Sequence, residues 1–319
     1  MTKPQNIIAQ IRINVRKKPW KCLVDGCETT AINSHLIQQN GLLSNIATNG
    51  HLIELKLIDA YKWTKNQLPI QFKKVGIKQA LSHKVFCNKH DTSIFEPIEN
   101  NETDFKSYQS FLLFSYRAAC AEIRKKLIII EQHNRLINSS NLSGKIDKET
   151  LAGIIRGNEL GIKDLRFLKN ELEQEIKSNS EKFTFFSFSY PKIDLYASAL
   201  FSTTDIGFER DDENLDVQNI YVHILPLESE TLILIGYHNS YSSKAIENYC
   251  KSWKGLDEKN LEQKLTSLIV TNIENWGLSP ELYSNLSKRN ISKYIDTFRD
   301  NAHYFGIDKP VDFNLFEKK

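Results

Sequence analysis

Two close pairs of metal-ligand residue types, Cys22-x4-Cys27 and Cys87-x2-His90, constrain this chain more than any other feature. Zinc takes four tetrahedral ligands drawn from thiolate and imidazole, commonly as two pairs from separate turns. Between the first pair, Val24-Asp25-Gly26 supplies the Asp-Gly dipeptide that lets a chain reverse tightly. In the second pair, a spacing of three suits a helix start or a turn, where both side chains face one ion. A chain of 319 residues, 40% of them hydrophobic, can bury ordinary cores without metal, so zinc here pins a local region. Five cysteines are too few and too unevenly spaced for a disulfide scaffold. Cys120 and Cys250 stand alone and read as small buried hydrophobes.

Charge is distributed unevenly along the chain. Residues 1–100 carry 14 Lys and Arg against 7 Asp and Glu, a net of +7 within a total of +3. The basic residues cluster around the cysteines: Arg16, Lys17, Lys18 and Lys21 precede Cys22, and Lys62, Lys65, Lys73, Lys74 and Lys78 follow. Trp20, Trp63 and Phe72 are interleaved with them. Lysine and arginine neutralise phosphates and aromatic rings stack on unpaired bases, so Arg16, Lys17, Lys18, Lys21, Lys73 and Lys74 are candidate nucleic-acid contacts. A solvated basic face is the simpler alternative. The N-terminus has no continuous apolar stretch of signal-peptide type, and no apolar run approaches the roughly 18 residues of a membrane span. The expectation is a soluble, cytoplasmic protein without membrane contact.

Pattern and punctuation predict an α+β chain in three parts. Residues 1–100, turn-rich and with strand-like segments such as HLIELKLI, form a small zinc-bound module. Residues 101–180 form a helical region. Apolar residues recur at helical spacing from Asp104 to about Asn138, SSNLSGK closes that helix, and a second begins at the N-cap Asp147. Gly157 and Gly161 are expected to break it before a firmer stretch over Leu165 to Ile176. Residues 181–319 form a C-terminal α+β part in which FTFFSFSYP, NIYVHILPL and TLILIGYH read as alternating strands. The last two are joined as an antiparallel hairpin by ESE. Ser279 and Pro280 then mark a helix start.

The arrangement resembles the HNH endonucleases of the His-Me finger group, in which a treble clef binds zinc around a ββα catalytic core. The likeness covers Cys22 to Phe95: Cys22 and Cys27 match the first metal pair, Ser34-His35 the dipeptide that ends the first catalytic strand, and Cys87 with His90 the second pair. It implies structural Zn²⁺, His35 as the base that activates water, and Mg²⁺ or Mn²⁺ as the catalytic ion. Three departures stand out. Ser34 replaces the usual carboxylate or imidazole, Asp91 follows the second pair and is the candidate to restore that carboxylate, and 59 residues separate Cys27 from Cys87. The layout also resembles that of bacterial proteins encoded near phage-defence genes, which implies a defence role without naming a reaction.

His35 has an ordinary pKa near 6.5 and can act as a base at neutral pH. Two other roles remain open to it at this level: a zinc ligand, which would leave His90 for hydrogen bonding, or a buried polar pin. The expected activity is hydrolysis of DNA phosphodiester bonds, with His35 and Asp91 catalytic and the C-terminal part meeting a trigger or partner protein. The alternative is a non-catalytic zinc module that binds nucleic acid or a protein. His223 and His238, about 13 Å apart along the predicted hairpin, should not share an ion. Asp211, Asp212 and Glu213 read as a solvated acidic loop, and FTFFSFSY as a core strand with a possible partner-facing half.

Overall fold

The computed structural model describes residues 3–58, 70–100, 102–203, 215–301, 306–307 and 309–317. After helix α1 (Pro4–Lys17), two short strands, β1 (Asn33–His35) and β4 (Ser82–Lys84), pair antiparallel with Asn33 opposite Lys84 and His35 opposite Ser82. Helix α2 (Asn88–Glu99) follows directly, so β1, β4 and α2 form a ββα unit. The chain between its two strands forms a β-hairpin, β2 (His51–Leu57) and β3 (Ile70–Gly76).

That hairpin leaves the small unit and joins a seven-stranded sheet. The other strands are β5 (Phe183–Pro191), β6 (Leu195–Ser202), β7 (Asn219–Pro226), β8 (Glu230–His238) and β9 (Trp276–Leu278). The order is β3-β2-β9-β6-β7-β8-β5, and every pairing is antiparallel. Residues 100 and 180 lie in connections between elements, and one sheet takes strands from residues 1–100 and from residues 181–319. Three residues of β9 make the join, and their middle residue has to be small. A Cβ on Gly277 would lie 2.3 Å from the Tyr196 hydroxyl, which donates to Glu54 on β2 at 2.8 Å.

Helices cover both faces of the sheet. On one side lie α3 (Tyr108–Ile137) and α4 (Lys148–Ser178), the expected helical hairpin. Phe111 stacks on Phe185 with ring centres 5.1 Å apart, and Tyr221 and Leu225 of β7 share that core. On the other side α5 (Lys244–Lys251), α6 (Glu258–Thr271), α7 (Pro280–Asn285) and α8 (Lys288–Asp300) pack over Ile220, Val222 and Ile224. With both faces covered, β7 is buried at every position, which is why NIYVHILP is nearly continuous in apolar residues and not alternating. Each Leu or Ile buried there contributes about 1.5–3 kcal/mol.

One expectation about the helices changes. α4 is one unbroken helix, capped by Asp147, whose carboxylate accepts from the amides of Glu149 and Thr150. Gly161 does not break it but lets the Lys126 side chain of α3 lie against its backbone, since a Cβ there would meet Lys126 Cε at 2.9 Å. FTFFSFSYP forms an edge strand of the sheet, with Phe183 and Tyr190 buried at its ends and Phe186 and Phe188 half-buried. The β7–β8 hairpin, with His223 opposite Leu234, and the helix start at Ser279 and Pro280 are as expected. Asp211, Asp212, Glu213, Lys62, Trp63 and Lys65 lie outside the described residues. Among those described, no helix is long and apolar enough to cross a membrane.

Candidate metal centre and the His35 site

The first ligand pair sits on a knuckle ahead of β1. Lys21 and Thr30 form an antiparallel bridge, the Cys27 amide donates to the Val24 carbonyl at 3.1 Å, and Gly26 turns the chain at a φ of +75°. That conformation is strained for any residue with a side chain. The second pair begins α2: Cys87 is the N-cap, its carbonyl accepts from the Asp91 amide at 2.9 Å, and His90 lies in the first turn on the same side.

Tertiary packing brings the two pairs together. The ligand atoms of Cys22, Cys27, Cys87 and His90 all lie within 4.8 Å of one another. Cys22 Sγ and Cys87 Sγ are each 3.4 Å from His90 Nδ1, and Cys27 Sγ is 3.9 Å from Cys87 Sγ. Zinc–sulfur bonds of about 2.3 Å in a tetrahedron place sulfurs about 3.8 Å apart, so the spacing fits one ion. Hydrogen bonds from Thr29 to Cys27 favour its thiolate, while burial pushes the Cys22 thiol up. Cys27 is half-exposed at a cleft of about 300 Å³ lined by the knuckle, Arg166 and Lys169. Cys120 and Cys250 are buried and are not members of this group.

His35 is not a member of the cluster. It ends β1, and its Nε2 is buried without a hydrogen-bond partner. Burial lowers its pKa, helped by the Arg117 charge and opposed by backbone groups of Ile77 and Lys78 and by Glu99. The imidazole is therefore neutral near pH 7. Ser34 serves as a stitch, its hydroxyl accepting from the Phe86 amide at 3.3 Å. Asp91 Oδ1 is also buried without a hydrogen bond, 4.0 Å from Arg117 Nη2. Arg117 comes from α3, is 2% exposed, pairs with Glu99 at 2.8 Å and lies 3.9 Å from the Phe95 ring centre. Its own Nε has no partner.

The expected nucleic-acid contacts are only partly free. Arg16 and Lys17 are exposed at the end of α1, and Lys73 and Lys74 lie on β3 at the sheet edge. Lys18 pairs with Glu131 at 2.8 Å, and Lys21 with Glu28. Trp20 is buried between Lys18 and Arg124 and donates to the Val15 carbonyl. Phe72 packs among Trp276, Tyr283 and Tyr294. Neither ring is open to a base.

His223 and His238 do not meet over an ion. His223 is bracketed by Ser115 at 3.1 Å and Ser198 at 3.0 Å, and His238 Nε2 lies 3.3 Å from Glu171. Sequence reasoning missed Arg117, Arg124 and Lys169. All three sit on the long helices with no motif around them, and only their burial in the fold marks them. No protein-family model, no curated protein and no solved structure matches this chain.

Proposed function

We propose that this chain is a zinc-stabilised, HNH-like nuclease that hydrolyses DNA phosphodiester bonds. One observation carries the reading: in a ββα unit with the metal cluster built around its start, His35 stands outside the cluster, neutral, with an unpartnered buried Nε2. An unpaired buried imidazole nitrogen costs stability, and such atoms gather where a ligand or reaction supplies the partner. His35 would take the proton of the attacking water. Asp91, with its unpartnered Oδ1, would hold Mg²⁺ or Mn²⁺, which neutralises charge building on the phosphate. Arg16, Lys17, Lys73 and Lys74 would track the DNA backbone. The likeness to proteins encoded beside phage-defence genes extends the proposal to bacterial defence.

His35 Nε2 has no open surface, so reaction requires the groups over it to move when substrate or trigger binds. That burial, with Arg117 already 4.0 Å from Asp91, favours a second reading: the core is catalytically silent and the module binds nucleic acid or a partner protein.

Nicking of supercoiled plasmid by the full chain with Mg²⁺ or Mn²⁺ separates the two. Nicking lost in His35→Ala at equal zinc content supports the nuclease. Absence of nicking by either protein, or equal nicking by both, replaces it with the binding module.

A further inference from the structure

We propose that Arg124 is the counter-charge built into the Cys22–Cys27–Cys87–His90 metal site. The inference rests on the metal cluster and is independent of any nuclease activity.

Arg124 comes from α3 and is 2% exposed, among the largest fully buried side chains of the described residues. One Nη2 donates to the Lys21 carbonyl, next to Cys22, and the guanidinium lies 4.8 Å from the Trp20 ring centre. Its Nε has no partner, and no described carboxylate forms an ion pair with it. The sulfurs near enough to interact with its charge are those of Cys22 and Cys120. A desolvated cation without an anion costs several kcal/mol, so a fold that buries one supplies the anion elsewhere.

The cluster is that source. A divalent ion held by three thiolates and one neutral imidazole has a net charge of −1, and one guanidinium brings the sum to zero. Neighbouring cations already have carboxylates: Lys169 pairs with Glu173 and Asp25, Arg117 with Glu99, and Lys21 with Glu28. Cys120 is not among the ligands, and burial keeps its thiol protonated. Cys22, a ligand and the chain neighbour of the Lys21 carbonyl that Arg124 holds, is therefore the sulfur whose charge Arg124 balances once metal is bound. A site so balanced suits a divalent ion and would carry excess negative charge with a monovalent one.

The test is zinc affinity of the full chain, measured by competition with a chromophoric chelator, together with the absorption of the Co²⁺-substituted protein. Losing such an outer partner weakens metal binding about 10- to 100-fold, so Arg124→Gln should fall by that factor and shift the thiolate-to-cobalt band. Arg124→Lys, which keeps the charge, should stay within about threefold of wild type on the same scale. The proposal is overturned if Arg124→Gln binds zinc as wild type does, or if Arg124→Lys falls as far as Arg124→Gln. Should Arg124→Gln not be recovered folded, Arg124→Lys decides alone: near-wild-type affinity supports the role, and a tenfold loss rejects it.

Discussion

Lys169 Nζ lies 3.3 Å from the carboxylate of Asp25, at the tip of the metal knuckle, although the two are 144 positions apart in sequence. The same ammonium is 2.9 Å from Glu173, which accepts from the Tyr116 hydroxyl at 2.6 Å. Tyr116 in turn stacks on Phe86 beside the second ligand pair. The knuckle is thus latched to the α3–α4 hairpin through a lysine whose side chain is 4% exposed.

Replacing Lys169 with Met should destabilise the zinc-loaded protein by about 2 kcal/mol. Breaking a fully buried pair costs 3–5 kcal/mol, and the exposure of Asp25 discounts that figure. Urea unfolding measures it, and a change below about 0.5 kcal/mol would mean that the latch contributes nothing.

Metal removal should loosen one region only. The two hydrophobic cores contain many residues far from the ligands, whereas the knuckle, β1, β4 and the start of α2 meet at the cluster. In hydrogen exchange after chelation, amides of residues 20–35 and 82–92 should lose protection while β7 and β8 keep theirs. Uniform loss across the sheet would contradict a local role.

Acid should weaken the fold partly through His223. Burial lowers its pKa to about 3 in the folded chain, against about 6.5 when unfolded. Between those values the unfolded chain binds a proton that the folded chain excludes, so stability is full above pH 6.5 and declines as pH falls, by up to about 1.4 kcal/mol per pH unit. His223→Gln, compared with wild type at each pH, should show a shallower decline between pH 6.5 and 4.5. Parallel curves would mean that His223 carries a proton in the fold.

Gly277→Ala should cost about 1–3 kcal/mol or more, because the new methyl meets the Tyr196 ring and hydroxyl and the Ile53 carbonyl. Thermal melting would show the loss, with Tyr196→Phe relieving part of it in the double variant. Additive effects would remove Tyr196 as the cause.

Features that short stretches encode are legible along the chain. Cys22 with Cys27, and Cys87 with His90, each need only one turn of chain to face an ion. The Asp147 and Ser279 caps and the β7–β8 hairpin are likewise local. The remaining features arise from packing between distant segments. Gly157 and Gly161 look like breaks until α3 packs against α4, and RKKPWK looks like a free basic face until Trp20 is buried and Lys18 meets Glu131. Pairing of β2 with β9, through Ile53 and Leu278, joins residues 225 positions apart and leaves no local signal. Arg117, Arg124 and Lys169 are ordinary basic residues in the sequence. Desolvation beside the cluster and His35 is what gives their charges consequence, and desolvation is a property of the assembled fold.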